Sequence, residues 1–342
     1  MKNFPNIQFV QVKKIISGNF LTFIIGVILL FTCQISIANN LYPQKAIKLL
    51  LPYPPGGSTD IFARLLSDKL GQLWGQPVIV ENKPGAGGLI AMEALLAAPA
   101  DGYTILLGHF GTLAINPAII KNLSYDPIRD IEAVGEIAVV PNVLVIRNDL
   151  PFKTLSEMLD YAKKNPDKLT YSSGGIAGAA HISIEYLKFL TSVNITHIPY
   201  KGTGPAVVDL LGGHVSMTMP GTPAVIKYIQ SGKLIPLGIS SLQRIDILPN
   251  VPTISESNVA ELKNYDVTQW YGVVGKAGTP KLIIDKLNEG IRLTFDNNDS
   301  RLKLKKEGAI VLLNTPEAFS MFIKSEINRW SKIVRDTGMD LK

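Results

Sequence analysis

The sequence predicts an α/β protein of two lobes, each a mostly parallel sheet flanked by helices. Three observations carry the prediction. Short β-rich runs alternate with segments of helical period along the chain, the pattern of βα units. Once an N-terminal leader is set aside, some 300 residues remain, which is more than one core usually holds and fits two lobes of about 150. No repeat, low-complexity tract or long linker divides the chain, so the lobes are expected to be joined by strands that cross between them.

The leader comes first. Lys2, Lys13 and Lys14 precede the apolar run Phe20 to Phe31, and Ser36-Ile37-Ala38 follows with small residues where a signal peptidase reads. The apolar core is 12 residues, short of the roughly 20 that span a bilayer, so residues 1–38 read as a secretory signal peptide. Lipidation at Cys33 is the alternative, weakened because Thr32 stands where Gly, Ala or Ser is usual. Cleavage after Ala38 would leave 304 residues, remove the single cysteine and lower the net charge from +6 to +3. Without a thiol the remaining chain must draw its stability from its core, and so mild a charge argues against nucleic acid.

Strands are expected at 46–51, 77–81, 103–108, 143–147, 169–172, 195–199, 215–219 and 234–240. In the first helix Ile61, Leu65, Leu66 and Leu70 share a face, with Arg64, Asp68 and Lys69 elsewhere. Helix starts are marked by the capping box Thr154 to Glu157 and by Thr-Pro pairs at Thr222, Thr279 and Thr315. The segments Val134 to Arg147 and Tyr265 to Val274 are the candidate crossovers. They imply a first lobe from 39–138 and 269–342, and a second lobe from 139–268.

The chemistry concentrates in glycine-rich turns. PYPPGGSTD, Pro52 to Asp60, joins the first strand to the first helix. Gly56 and Gly57 can turn their N–H groups toward a ligand, and Ser58 or Thr59 can cap the helix, whose positive end suits an anion. An ordinary strand-to-helix turn is the competing reading. SSGGIAGAAH, Ser172 to His181, repeats the arrangement, and two such turns at the carboxyl ends of two sheets would face each other across a cleft. Neither turn contains arginine; Arg64 reads as solvent-facing and Lys201 as the nearest other cation. An anion would therefore rest on backbone N–H groups, hydroxyls and water.

Other chemistries lack their motifs. KPGAGGL at 83–89 fails the dinucleotide pattern at Ile90, and neither a P-loop nor G-x-S-x-G occurs. The histidines show no metal-ligand spacing: His197 and His214 read as structural or surface residues, whereas His109 and His181 sit at strand-end turns as candidate ligand contacts. No cofactor is expected.

Eight stretches resemble the tripartite tricarboxylate transporter substrate-binding proteins, the TctC or Bug family: PYPPGGSTD, VIVENKPGAGG, ADGYTILLG, INPAI, YDPIRD, IPYKGTGPA, LPNVPTISES and GTPKLIIDKLN. They cover nearly the whole chain after the leader, in the family's order. The resemblance implies a periplasmic, two-lobed Venus-flytrap fold of the periplasmic binding protein type, no catalysis, and a small organic carboxylate as ligand. It also implies which loops hold that ligand: Tyr53, Pro54, Gly56, Gly57, Ser58 and Thr59 in the first; Ser173, Gly174, Gly178 and His181 in the second; and His109 to Thr112 after the third strand. Tyr200 completes the candidate set. The chain departs from the family in carrying Tyr53 where Phe is frequent and Asn258 where Gly is usual.

The partners implied are the integral membrane subunits of a tripartite transporter, with the protein a monomer. The alternatives are a sensor that docks on a histidine kinase, and a secreted hydrolase using Ser58 or Ser173, for which no base can be named.

Overall fold

The computed structural model describes residues 42–337, so the predicted leader and Cys33 lie outside the described residues. From Lys45 onward the chain forms one compact unit built on two sheets. Among the described residues no helix is long and apolar enough to cross a membrane.

The first sheet begins with β1 (Ile47–Leu51), β2 (Val78–Asn82) and β3 (Thr104–His109), with β1 central and parallel to both neighbours. Helix α1 (Ser58–Trp74) leads from β1 to β2, and α2 (Leu89–Ala97) leads to β3. A π-helical turn, Gly111–Ile115, and the short α3 (Asn116–Ile119) follow. Strand β4 (Ile131–Pro141) then enters the same sheet, and the chain leaves for the second lobe.

The second sheet contains β5 (Val143–Arg147), β6 (Thr170–Ser173), β7 (Thr196–Pro199), β8 (Met217–Thr218) and β9 (Leu234–Ile239), in the order β7-β6-β8-β5-β9. Helices α4 (Leu155–Lys164), α5 (Ala179–Thr191), α6 (Thr203–Leu211) and α7 (Ile226–Gln230) connect them. The chain returns through β10 (Thr268–Lys276), then α8 (Lys281–Phe295), α9 (Asn298–Lys306), β11 (Ile310–Val311) and α10 (Pro316–Thr337). The first sheet is thereby completed in the order β11-β4-β10-β3-β1-β2.

Both sheets are mixed rather than mostly parallel. The βα units pair in parallel, but β10 runs antiparallel to β3 and β4, and β5 runs antiparallel to β8 and β9. A strand that carries the chain into or out of a lobe meets its neighbours head-on, and composition does not reveal that direction. The two segments read only as crossovers are therefore also long strands, β4 and β10, paired over nine positions. Their residues are buried on both faces, so they lack the alternation that marks a half-buried strand. The other predicted strands appear within two residues of their expected ends.

Helix details follow local chemistry. The buried stripe of α1 is Phe62, Leu66 and Leu70, one residue round from Ile61 and Leu65, which stay half-buried. The Thr154 capping box forms, and Thr315 accepts the Ala318 N–H at 3.2 Å. Thr222 and Thr279 do not cap: their hydroxyls donate to Pro141 O and Lys276 O instead, at 2.8 and 2.7 Å.

Candidate functional site

Three strand-to-helix loops and the floor of β3 and β10 enclose a cavity of about 50 Å³ between the two sheets. In the first loop Gly57, not Ser58 or Thr59, is the N-cap of α1, and no side chain caps the helix. Gly56 holds φ at +93°, and its N–H donates to the Asp60 carboxylate at 3.2 Å. Burial disfavours charge on Asp60, but the Arg64 guanidinium, bonded at 2.9 and 3.0 Å, and the Gly56 N–H hold its pKa below the usual range. Arg64 itself is mostly exposed, so the negative charge nearest the cradle is neutralised from outside.

The second loop repeats the device. Gly178 is the N-cap of α5, again with no side-chain cap. Gly175 at φ +130° and Ala177 at φ +58° turn the chain into it. The third loop was represented in the expected set by Tyr200 alone. Gly202, at φ +117°, starts α6 without a side-chain cap, and its N–H donates to Gly174 O at 3.1 Å. A Cβ at Gly174 would lie 2.9 Å from the Thr203 nitrogen, so glycine there lets the second and third loops touch.

The floor is polar yet uncharged. His109 Nδ1 accepts the Gly111 N–H at 3.0 Å and lies 3.1 Å from the Tyr53 hydroxyl. A backbone N–H only donates, so Nδ1 is bare, Nε2 carries the proton, and Nε2 donates to Gln269 Oε1 at 2.8 Å. Burial lowers the His109 pKa to about 4, which keeps the ring neutral. Tyr271 donates to the same Gln269 oxygen at 2.8 Å.

The cavity brings together Tyr53, Pro54, Gly57, Thr59, His109, Gly174 and Gly178 from the expected set. Ser58 opens α1 as its first residue. Five others do not line it. Thr112 is buried, and its hydroxyl donates to the His109 carbonyl. Ser173 is fully buried, with its hydroxyl on Gly175 O at 3.1 Å and on His197 Nε2 at 2.6 Å. His181 stacks on His197 with centroids 4.3 Å apart, beneath the loop, and its Nδ1 accepts the Ala177 N–H. Tyr200 donates to Asp209 at 2.6 Å. Gly56 shapes the first loop without lining the cavity. His197, read from the sequence as structural or surface, is half-buried and stacked on the rings of Tyr171 and His181, and burial lowers its pKa to about 4.

Among the lining residues missed were Gly202, Thr203 and Pro205, Pro220 and Gly221, and Gln269 and Tyr271. Their signals were present. Lys201-Gly202-Thr203 is another turn between a β-rich run and a helix, and Gln269 and Tyr271 sit two apart on a segment already read as passing between lobes. None of the lining residues carries a charge, and among the described residues no cluster of His, Cys, Asp and Glu is arranged to hold a metal.

The two lobes touch around the cavity. A Cβ at Gly202 would lie 3.0 Å from Pro54 Cγ, and one at Gly111 would lie 3.1 Å from the Ala177 carbonyl. The cleft is closed.

Known proteins share this architecture. The profile of the tripartite tricarboxylate transporter family receptor, TctC, matches residues 62–339. Protein BugT of Bordetella pertussis is 36% identical over 307 residues, covering 90% of this chain and 93% of its own. Two solved structures superpose closely. R. palustris Rpa4515 with adipate has 32% identity, a TM-score of 0.83, and coverage of 87% of this chain and 99% of its own. MatC from Rhodopseudomonas palustris with bound malate has 31% identity, a TM-score of 0.81, and coverage of 86% and 100%. The chain therefore belongs to the TctC family of tripartite tricarboxylate transporter receptors.

Proposed function

We propose that the protein is a periplasmic solute receptor whose cleft closes on a small organic carboxylate and delivers it to the membrane subunits of a tripartite tricarboxylate transporter. The observation that carries the reading is the convergence of three glycine-capped helix starts, at Gly57, Gly178 and Gly202, on a cavity lined by no charged side chain. Outside the cavity the starts vary: Thr154, Asn297 and Thr315 cap α4, α9 and α10 with side-chain oxygens, while α2 starts at Gly88 and α8 at Pro280 without a side-chain cap, so the distinction of the cavity is that three uncapped starts meet there. First-turn N–H groups need acceptors, and at a glycine cap a ligand carboxylate can be the acceptor. The helix dipoles add to the same attraction, and Arg64 offsets the Asp60 carboxylate in the first turn of α1.

Adipate in the R. palustris protein and malate in MatC are carboxylates, which supports the ligand class. The leader expected at residues 1–38 supports the compartment. Catalysis is disfavoured. The Ser173–His197 pair has the reach of a nucleophile and base at 2.6 Å, but Ser173 is fully buried and its hydroxyl is committed to Gly175.

The test is to unfold and refold the protein to strip bound solute, then screen carboxylates by thermal shift and calorimetry. A micromolar dissociation constant, about −8 kcal/mol, is within reach of several charge-assisted hydrogen bonds in a closed cleft. Gly57 faces open space with φ at −90°, so Gly57→Val should fold and lose the ligand. Retained affinity in Gly57→Val, or no carboxylate bound by the wild-type protein, would refute the reading.

A further inference from the structure

The two sheets are joined at Asn142, the one residue between the end of β4 at Pro141 and the start of β5 at Val143. It is fully buried, and each of its hydrogen-bonding groups is used. Its N–H donates to Ser240 Oγ at 2.8 Å and its carbonyl accepts the Ser240 N–H at 2.9 Å. Its Nδ2 donates to Ser183 Oγ and to the Val267 carbonyl, both at 2.9 Å. Its Oδ1 accepts a short bond from Gln269 Nε2.

These partners belong to different moving parts. Ser183 is on α5, the helix whose start forms the second cradle, and Ser240 directly follows β9 of the second sheet. Val267 and Gln269 bracket the point where the chain re-enters the first sheet at Thr268. From Gln269 the chain of bonds continues to His109 and then to Tyr53 in the first cradle. Its direction is fixed at both ends by backbone groups: the Val267 carbonyl can only accept and the Gly111 N–H can only donate, so neither amide can flip without loss.

We propose that Asn142 is a positioning residue that clasps the hinge, holding both cradles in the closed arrangement; the inference rests on the ligand-receptor reading above. Rotation of the second lobe about the crossovers moves Ser183 and Ser240 against Val267 and Gln269. At least one buried bond must then break, which leaves a polar group without a partner. Asn142 does not line the cavity, so its effect on binding passes through geometry alone.

The experiment compares the full chain with Asn142→Ala and Ser183→Ala, measuring the radius of gyration by small-angle X-ray scattering without ligand and the affinity for malate by calorimetry. Circular dichroism establishes that each variant is folded. Asn142→Ala should enlarge the ligand-free molecule and weaken malate binding about tenfold, the equivalent of one buried hydrogen bond. Ser183→Ala should shift both in the same direction by less, and it decides the matter if Asn142→Ala does not fold. Lowered thermal stability with both radius and affinity unchanged would overturn the proposal. If the wild-type protein ignores malate, the radius comparison alone decides the clasp: an enlarged variant supports it and an unchanged one overturns it, while the choice of carboxylate is settled separately.

Discussion

At His109 the imidazole receives the Gly111 N–H on Nδ1, and a proton placed there would set one N–H against another. Burial therefore holds its pKa at about 4, below the unfolded value of about 6.5. The unfolded chain binds the proton more readily, so the contribution is complete above pH 6.5 and is lost as pH falls toward 4, amounting to about 3 kcal/mol. Glu136 opposes this. Burial raises its pKa to about 7, so stability falls as pH rises from about 4.5 through 7. Acid denaturation of Glu136→Gln should consequently show a steeper loss between pH 6.5 and 4 than the wild-type protein, and the His109 ring should stay neutral at pH 6 by NMR. A His109 midpoint near 6.5 would contradict the assigned hydrogen bonds. The glycines separate binding from stability in the same way. Gly57→Ala meets open space and should leave stability within about 0.5 kcal/mol while weakening binding. Gly174→Ala meets the Thr203 nitrogen at 2.9 Å and should cost about 1–3 kcal/mol.

Helices divide into those that serve the cleft and those that hold the frame. Thr154 closes a capping box on α4, remote from the cavity, so Thr154→Ala should cost about 1 kcal/mol in denaturant titration and leave ligand affinity unchanged. Gly290 lies inside α8, where alanine would ordinarily be favoured. A Cβ there would meet Trp74 of α1 at 2.4 Å, so Gly290→Ala should lower the melting temperature instead of raising it. The βα units were legible in the sequence because their strands are short, β-branched and followed at once by a capped or glycine-started helix. Strands β4 and β10 were legible as connections but not as sheet members, since burial on both faces erases alternation. The role of Thr222 and Thr279 was hidden for another reason: a hydroxyl chooses between a helix N–H and a nearby carbonyl, and the winning carbonyl of Thr222 belongs to Pro141, distant in sequence.

Across the whole molecule, the first and second cradles were readable as glycine-rich turns and His109 as a strand-end residue, whereas the rest of the floor was not. Gln269 and Tyr271 reach the cavity only because β10 lies between β3 and β4, a pairing of residues more than 100 positions apart that no local pattern encodes. The same non-local pairing joins Asn142 to both lobes. Closure and binding are thus two aspects of one arrangement, in which uncharged groups and three helix starts surround the space that an anion is to fill. Calorimetric titration of solute-free protein with a carboxylate panel that includes malate and adipate, run beside Gly57→Val, tests this most directly. The account predicts at least one carboxylate bound near the micromolar range by the wild-type protein and lost in the variant. Equal binding by both proteins, or by neither, would contradict it.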